Sequence, residues 1–541
     1  MPGEPYKALF KYEYQRSPDQ DAARPVHHPV IVVGAGPIGL AAAIDLAQRG
    51  VPVVVLDDSD RIAEGSRAIC FSKRALEVCD RLGVGEPMVA KGVVWKVGKV
   101  FLESDLVYQF DLLPEPGHKR PAFINLQQYY VEAYLVDRAR ELANLDVRWR
   151  NRVSAVTALG DGVEVTVETP DGPYCLTSDW LVACDGARST VRSLLGLEFV
   201  GQTFDDRFLI VDVRMRAGFP PERWFWFDPP FHHGQSALLH KQPDDIWRID
   251  FQLGPHADPD EEKRRERVEP RLRAMLGADA EFEIDWVSVY TFQCKRMQHF
   301  VHGRVVFAGD AAHQVSPFGA RGANSGFEDA HNLAWKLANI LNGESPAGLI
   351  DSYAFERQLA ADDNIGHSAR ATDFISPKTP IARTFRNAVL KLATTVPFAR
   401  AMINSGRLST PSVYDGSALS TADGEAWKGI ARVGAALVDA PLEDARGRPT
   451  WLLDALTDGF TAVHVSDTGR PEAPEGMALK VIGEDLIDAH GLFAARYGAT
   501  PGSVYLFRPD HYLCARFRAY NALHLVAARA RALARPIGKP P

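Results

Sequence analysis

An apolar strand leading through a glycine turn into a helix near residue 34, a block of alternating strands between residues 201 and 296, and a second small-residue turn near residue 320 together predict an α/β fold. In this fold a parallel-sheet domain is interrupted by an inserted antiparallel sheet, resumes, and is followed by a further α/β module. At 541 residues the chain is longer than one core supports. The expected organisation is an N-terminal arm at 1–28, the first part of the parallel-sheet domain at 29–200, the inserted sheet at 201–296, the second part with additional helices at 297–404, a Pro/Ser/Thr-rich linker at 405–424 and the last module at 425–541.

Bulk composition narrows the function classes. With 46% hydrophobic and 24% charged residues and a formal charge of −8, the chain reads as an ordinary globular protein. The acidic balance, without a long basic run, argues against nucleic acid as a partner. No apolar run approaches the roughly 18 residues of a spanning segment, and the polar start has no signal-peptide core, so a cytoplasmic location without membrane insertion is expected. The six cysteines are scattered without paired or metal-type spacing, which fits a reduced compartment and no metal site.

The first elements come from HPVIVVGAGPIGLAAAIDLAQRGVPVVVLDD, a strand, turn, helix and second β-branched strand, making a Rossmann-like βαβ unit of about 30 residues. Gly34, Gly36 and Gly39, with Pro37 between them, form GxGxxG. The first glycine permits the tight turn, the second lets the backbone approach a pyrophosphate, and the third lets helix pack on strand. Asp57, at the end of the next strand, is placed to accept a ribose hydroxyl. This pattern binds a dinucleotide without saying which one.

Further along, DWLVACDG reads as a buried strand, and SALLHKQ with IWRIDFQL as a hairpin around a PDD turn. Period two puts Leu238, His240 and Gln242 on one face of the first hairpin strand, and Arg248, Asp250 and Gln252 on one face of the second. Trp224 and Trp226 share a face, and could line an aromatic pocket or pack in the sheet core. Tyr290 is a further candidate for a polar pocket contact. RVVFAGD is an apolar strand meeting the second turn, and NSGFEDAHNLAWKLANIL is a helix.

Three motifs, GAGPIG with Asp57, DWLVACDGARSTVR, and GRVVFAGDAAHQVSPFGARGANSGFEDAHNLAWKL, span most of residues 30–345. Through them the chain resembles the single-component FAD-dependent aromatic hydroxylases, a family that includes phenol, hydroxyphenylpropionate and p-hydroxybenzoate hydroxylases. The resemblance implies FAD as cofactor, NAD(P)H as a transient co-substrate, dioxygen, and a phenolic substrate that receives one oxygen atom after dioxygen adds at flavin carbon 4a. It places Asp310 on the ribityl chain, and the backbone at Gly319, Gly322, Ala323 and Asn324 under the pyrimidine edge of the flavin, where a helix N-terminus favours negative charge. It also assigns Arg67, Gln128, Asp185 and Arg192 to the cofactor, and Pro317 to the side of the substrate.

Aligned with the hydroxybenzoate enzymes, His240, Gln242 and Asp250 fall at substrate-contacting positions and Arg248 beside the flavin. His240 is a candidate base for the phenol, against a purely structural role. Gln242 departs from the arginine of those enzymes and cannot pair ionically with a carboxylate. WFWFDP is similar to the WxWxIP signature of flavin-dependent halogenases but lacks its isoleucine. Halogenation, Baeyer–Villiger oxygenation and a non-enzymatic binding protein therefore stay open as alternatives, as does a homodimer. The last module, including LFRPDHYLCARF, resembles the thioredoxin-like domain that ends phenol hydroxylases; with Cys514 its single cysteine, no thioredoxin chemistry is expected.

Overall fold

The computed structural model describes residues 10–62, 67–254, 256–403, 408–466 and 469–536, with the side chains of 205 and 401 left aside. Residues 1–9 of the expected arm and 405–407 of the expected linker lie outside the described residues.

The first sheet begins with β1 (Val26–Val33), followed by helix α1 (Pro37–Gln48) and strand β2 (Val53–Asp57). The short strand β3 (Cys70–Ser72) and helix α2 (Gln128–Arg140) come before β4 (Leu145–Trp149) and β5 (Gly172–Ala183). β5, β1, β2 and β4 pair in parallel in that order, so the β1–α1 turn opens at the carboxyl end of the central strands, where open α/β sheets bind their ligands. Val30, Ile31 and Val32 are fully buried, which explains why β1 reads as a continuous apolar run instead of an alternating one.

The second sheet consists mainly of β6 (Phe199–Arg214), β7 (Arg223–Phe227), β8 (Ser236–Lys241), β9 (Ile246–Leu253) and β10 (Glu283–Met297), in the order β10-β6-β9-β8-β7. The β8–β9 hairpin forms as its sequence predicts, with Asp244 and Asp245 both at positive φ in the turn. The sheet extends beyond 201–296. Val97–Leu102 pairs in parallel with β7, and Asp105–Asp111 completes that edge. The signal was present in VGKVFLESDLVYQFD, where short alternating runs flank a polar turn.

The chain then re-enters the first sheet through β11 (Val305–Phe307), parallel to β5, and continues into α3 (Gly322–Leu341) and α4 (Ile350–Ile375). α3 lies against α1 so closely that a Cβ at Gly326 would sit 2.6 Å from Ile38 Cδ1. The C-terminal sheet includes β12 (Thr461–Val465), β13 (Ala478–Ile482), β14 (Val504–Phe507) and β15 (Leu513–Phe517), in the order β13-β12-β14-β15. Its Cys514 is buried, and burial pushes the thiol up to about 12, so the residue is inert at neutral pH.

The β14–β15 turn fastens this module to the first domain. Arg508 donates to Glu356 Oε1 at 2.6 Å and Oε2 at 3.0 Å, Lys336 Nζ donates to Glu356 Oε2 at 2.8 Å, and Arg74 Nη2 donates to the Asp510 carbonyl at 2.6 Å. Burial alone would raise the Glu356 carboxyl, but Arg508 and Lys336 outweigh it and hold the group down to about 2. Removing this carboxylate strips the buried Lys336 of its ion pair and leaves Arg508 with Asp510 alone. Glu356→Ala should therefore lower stability by about 3–5 kcal/mol, measured as a shift in urea unfolding midpoint; a change under about 1 kcal/mol would deny the contact any fastening role.

Candidate active site

The glycine turn is shaped by three separate constraints. Gly34 has φ +102°, and a Cβ there would fall 2.6 Å from the Cys184 carbonyl oxygen. At Gly39 a Cβ would lie 1.9 Å from the Gly34 carbonyl oxygen, so α1 could not approach its strand. Gly36 differs: nothing lies within 4 Å of its Cβ position, which opens into the groove above Pro37. Asp57 braces the turn from below, its Oδ2 accepting from the Ala35 N–H at 2.6 Å and Oδ1 from the Ser59 N–H at 2.8 Å. Burial pushes its carboxyl up to about 6 against these two donors.

The opposite wall is the loop after β11. Asp310 is exposed on this wall although protein surrounds it; burial raises its carboxyl, partly offset by His313 and Arg67. Tyr290 likewise keeps 41% exposure toward the cleft, and burial, with Asp310 adding, pushes its hydroxyl up to about 12. Arg67 is exposed at the same place, and its charge lowers both groups. Next to it, Gln128 Oε1 accepts from the Ala68 N–H at 3.0 Å. Arg67, Gln128, Tyr290 and Asp310, far apart in sequence, thus meet at one cleft.

The Asp185 turn joins them. Asp185 Oδ2 accepts from the Val191 N–H at 2.9 Å, while Oδ1 is buried without a partner among the described residues. Arg192 donates to the Ala311 carbonyl at 3.0 Å and the Ala187 carbonyl at 2.9 Å, tying this turn to the Asp310 loop. After the exposed Pro317, Gly319 at φ +103° and Ala320 at φ +51° turn the chain into α3. No side chain caps this helix among the described residues, which leaves its first N–H groups, at Gly322, Ala323 and Asn324, without a side-chain acceptor there, as at helix N-termini generally. The Asn324 side chain instead bridges to β3: Oδ1 accepts from the Ser72 N–H at 2.9 Å and Nδ2 donates to the Cys70 carbonyl at 3.0 Å.

The second sheet forms the floor. His240 lies opposite Arg248, which lies opposite Asp212, and Asp250 lies opposite Leu238, so these groups share one face. Arg248 Nε and Nη2 donate to the two Asp212 oxygens at 2.8 Å each, and Gln242 Nε2 adds a bond to Oδ1 at 3.1 Å. Arg248 and Gln242 are therefore engaged with Asp212. His240 Nδ1 and Asp250 Oδ1 have no partner among the described residues. Burial, then Arg223 and Arg248, hold the His240 ring well below its usual range. Burial pushes the Asp250 carboxyl up to about 6, with Arg248 opposing.

Between floor and loop lies a small, largely apolar cavity of about 50 Å³, bounded by Arg223, Phe225, Phe227, Phe318, Ile375 and Leu408 among others. Trp224 and Trp226 are turned away from it. They pack on each other at 5.6 Å, and on Phe219 and Phe101, in the core of the opposite face. Alternation explains the outcome: the pocket face of β7 belongs to the odd positions Arg223, Phe225 and Phe227, which the sequence reading passed over for the tryptophans.

The arrangement fits a flavin dinucleotide. Gly36 leaves room for a pyrophosphate, Asp185 Oδ1 and Asp310 offer acceptors to hydroxyls, and the free amides at the start of α3 offer donors to a polar ring edge.

Comparison with known proteins agrees. The model of the FAD binding domain family matches residues 27–368. The chain is 31% identical over 529 residues to 6-methylpretetramide 4-monooxygenase of Streptomyces rimosus, covering 92% of each protein. It is 28% identical over 395 residues to 3-(3-hydroxy-phenyl)propionate/3-hydroxycinnamic acid hydroxylase of Mycolicibacterium smegmatis, covering 72% of this chain and 68% of that protein. Its fold matches the crystal structure of the flavin-dependent monooxygenase PieE with a TM-score of 0.80, at 22% identity over 95% of this chain and 100% of that one.

The glycine geometry separates binding from folding. Gly36→Val should leave the melting temperature of the FAD-free protein within about 2 °C while lowering flavin affinity about 100-fold, because the new side chain meets only the groove. Gly39→Ala should destabilise the protein itself by about 1–3 kcal/mol through overpacking. Thermal melts with and without FAD, and flavin content after purification, check both; equal effects of the two variants would contradict this division.

Proposed function

The chain belongs to the FAD binding domain family and is an FAD-dependent aromatic monooxygenase, and we propose that it hydroxylates a phenolic small molecule, with NAD(P)H as transient reductant. The observation that carries this reading is the apolar cavity lined by Phe225, Phe227 and Phe318 and ending on the Phe318–Gly319 turn that leads into α3, a surface suited to an aromatic ring.

When bound, FAD would supply the redox and oxygen chemistry that NAD(P)H and dioxygen require. The protein's part is to hold the dinucleotide along Gly34–Gly39, Arg67, Gln128, Asp185 and Asp310, to exclude water with the phenylalanines of the cavity, and to take a proton from the phenol. His240 is the base expected from the sequence, but Asp250, expected there as a substrate contact, suits the last task better. His240 lies within the influence of Arg223 and Arg248, and a ring so disfavoured as a cation cannot keep a proton near neutral pH. Asp250, raised to about 6 and with Oδ1 unpaired, is ionised at pH 7 yet basic enough to accept. His240 then serves as a neutral hydrogen-bonding group beside it.

Because Asp250 acts only when ionised, turnover should fall as pH drops through about 6. Asp250→Asn should lower kcat about 10²–10⁴-fold and abolish that acid limb, while His240→Gln keeps it. The direct test is a panel of mono- and polycyclic phenols screened for stimulated NAD(P)H oxidation, with product analysis. The reading requires a product that has gained one oxygen atom on the ring; peroxide release alone, or a halogenated or ring-expanded product, would refute it.

A further inference from the structure

The cavity floor carries a buried cation that no side chain pairs with among the described residues. Arg223, the first residue of β7, is 9% exposed and lines the cavity, and its guanidinium has no hydrogen bond or ion pair among the described residues. The other cations of the cavity wall are engaged. Lys99 pairs with Glu222 at 2.7 Å, Arg321 donates to Asn364 Oδ1 at 3.0 Å, and His367 lies 3.3 Å from Asp363. Asp250 and Cys70 feel the Arg223 charge, but neither forms an ion pair with it.

A buried ion without a counter-ion is costly, by several kcal/mol after relaxation. The charge of Asp250 offsets part of that cost from a distance, but no acceptor among the described residues meets the guanidinium, and the surrounding Phe225, Phe227 and Phe318 make the environment one in which a direct charge pair would be strong. A local rule broken without a compensating contact is expected where a ligand completes the set. Gln242, one strand away, cannot serve instead because its amide is bonded to Asp212.

We propose that Arg223 recognises an anionic oxygen on the aromatic substrate, a carboxylate or an ionised phenol, held against the guanidinium at the floor of the cavity. The inference rests on reading this cavity as the substrate site. It makes Arg223 a specificity-determining residue, since a planar guanidinium can take both oxygens of a carboxylate at once, and a lysine in its place cannot.

The test measures binding, without reductant, to the FAD-loaded enzyme through perturbation of the flavin absorbance. The first pair of probes is 6-hydroxy-2-naphthoate and 6-hydroxy-2-naphthamide; a second arm uses 4-nitro-1-naphthol above and below its own ionisation. The wild type should bind the charged form of at least one pair about tenfold or more tightly than the neutral form. Preference in the first arm assigns a carboxylate, in the second an ionised phenol. Arg223→Met should abolish the preference while keeping neutral-probe affinity within about threefold, and Arg223→Lys should keep part of it. Without probe, Arg223→Met should melt within a few degrees of the wild type, about 2–4 °C at most, since it removes no hydrogen bond or ion pair and Asp250 can take up a proton in its place. No preference in either arm, no binding of any probe, a preference that survives Arg223→Met, or a marked fall in melting temperature with loss of flavin would each overturn the proposal. Failure of the hydroxylase reading shows elsewhere, as phenols that bind but never stimulate NAD(P)H oxidation.

Discussion

The walls of the cleft depend on one buried carboxylate. Asp329, on the second turn of α3, accepts at Oδ2 from the Gly309 N–H at 2.9 Å and pairs there with His313 Nε2 at 2.7 Å, while Oδ1 accepts from Arg357 Nε at 2.6 Å. Burial alone would raise its carboxyl, but His313 and Arg357 outweigh that and hold it low. One side chain thereby fixes the loop carrying Asp310 to the helix whose free N–H groups face the same cleft. Arg357 carries the constraint outward, to the Ser325 carbonyl at 3.0 Å and the Tyr414 hydroxyl at 2.7 Å, and Tyr414 stacks on Tyr512 of the C-terminal module at 4.2 Å. A site that must hold a flat ring against exposed amides needs this rigidity, because donors positioned in advance do not have to reorganise during reaction.

The same burial that closes the cavity sets the chemistry of its floor. It moves acids up and bases down, and the neighbours then decide each case. Asp250 and His240 share a sheet face, yet Arg248 restrains the rise of the first, whereas Arg223 and Arg248 both deepen the fall of the second. Asp212 gives Arg248 the ion pair that Arg223 lacks among the described residues. In the proposed function, loop and helix hold the cofactor, the sheet serves proton transfer and charge recognition, and the phenylalanines keep water from weakening either.

Much of this was legible in the sequence where the signal is local. The glycine spacing, the β8–β9 hairpin and the two-residue alternation that brings His240 and Asp250 to one face follow from neighbours in the chain. What escaped depends on partners far away. Asp57 reads as a ribose acceptor, and in the fold its two oxygens also brace backbone N–H groups at the glycine turn and at Ser59, a second role the spacing does not reveal. Asn324 enters the cofactor turn through its backbone, and the bond of its side chain to β3, with |i−j| of 252 to Ser72, is not legible locally. The tryptophans outweighed their neighbours by size, but parity gave the cavity to Arg223, Phe225 and Phe227. Nothing local in LFRPDHYLCARF announces that Arg508 and Asp510 close a charge network with Lys336 and Glu356.

The most direct test of this account concerns the charge held at the start of α3. Reduced anaerobically on the protein and titrated between about pH 5 and 9, the flavin should lose its pyrimidine-side proton at least about one pH unit below free FAD, the shift expected from a helix N-terminus with open amides. An ionisation at or above that of free FAD would contradict the claim that these amides receive the negative charge of the reduced ring.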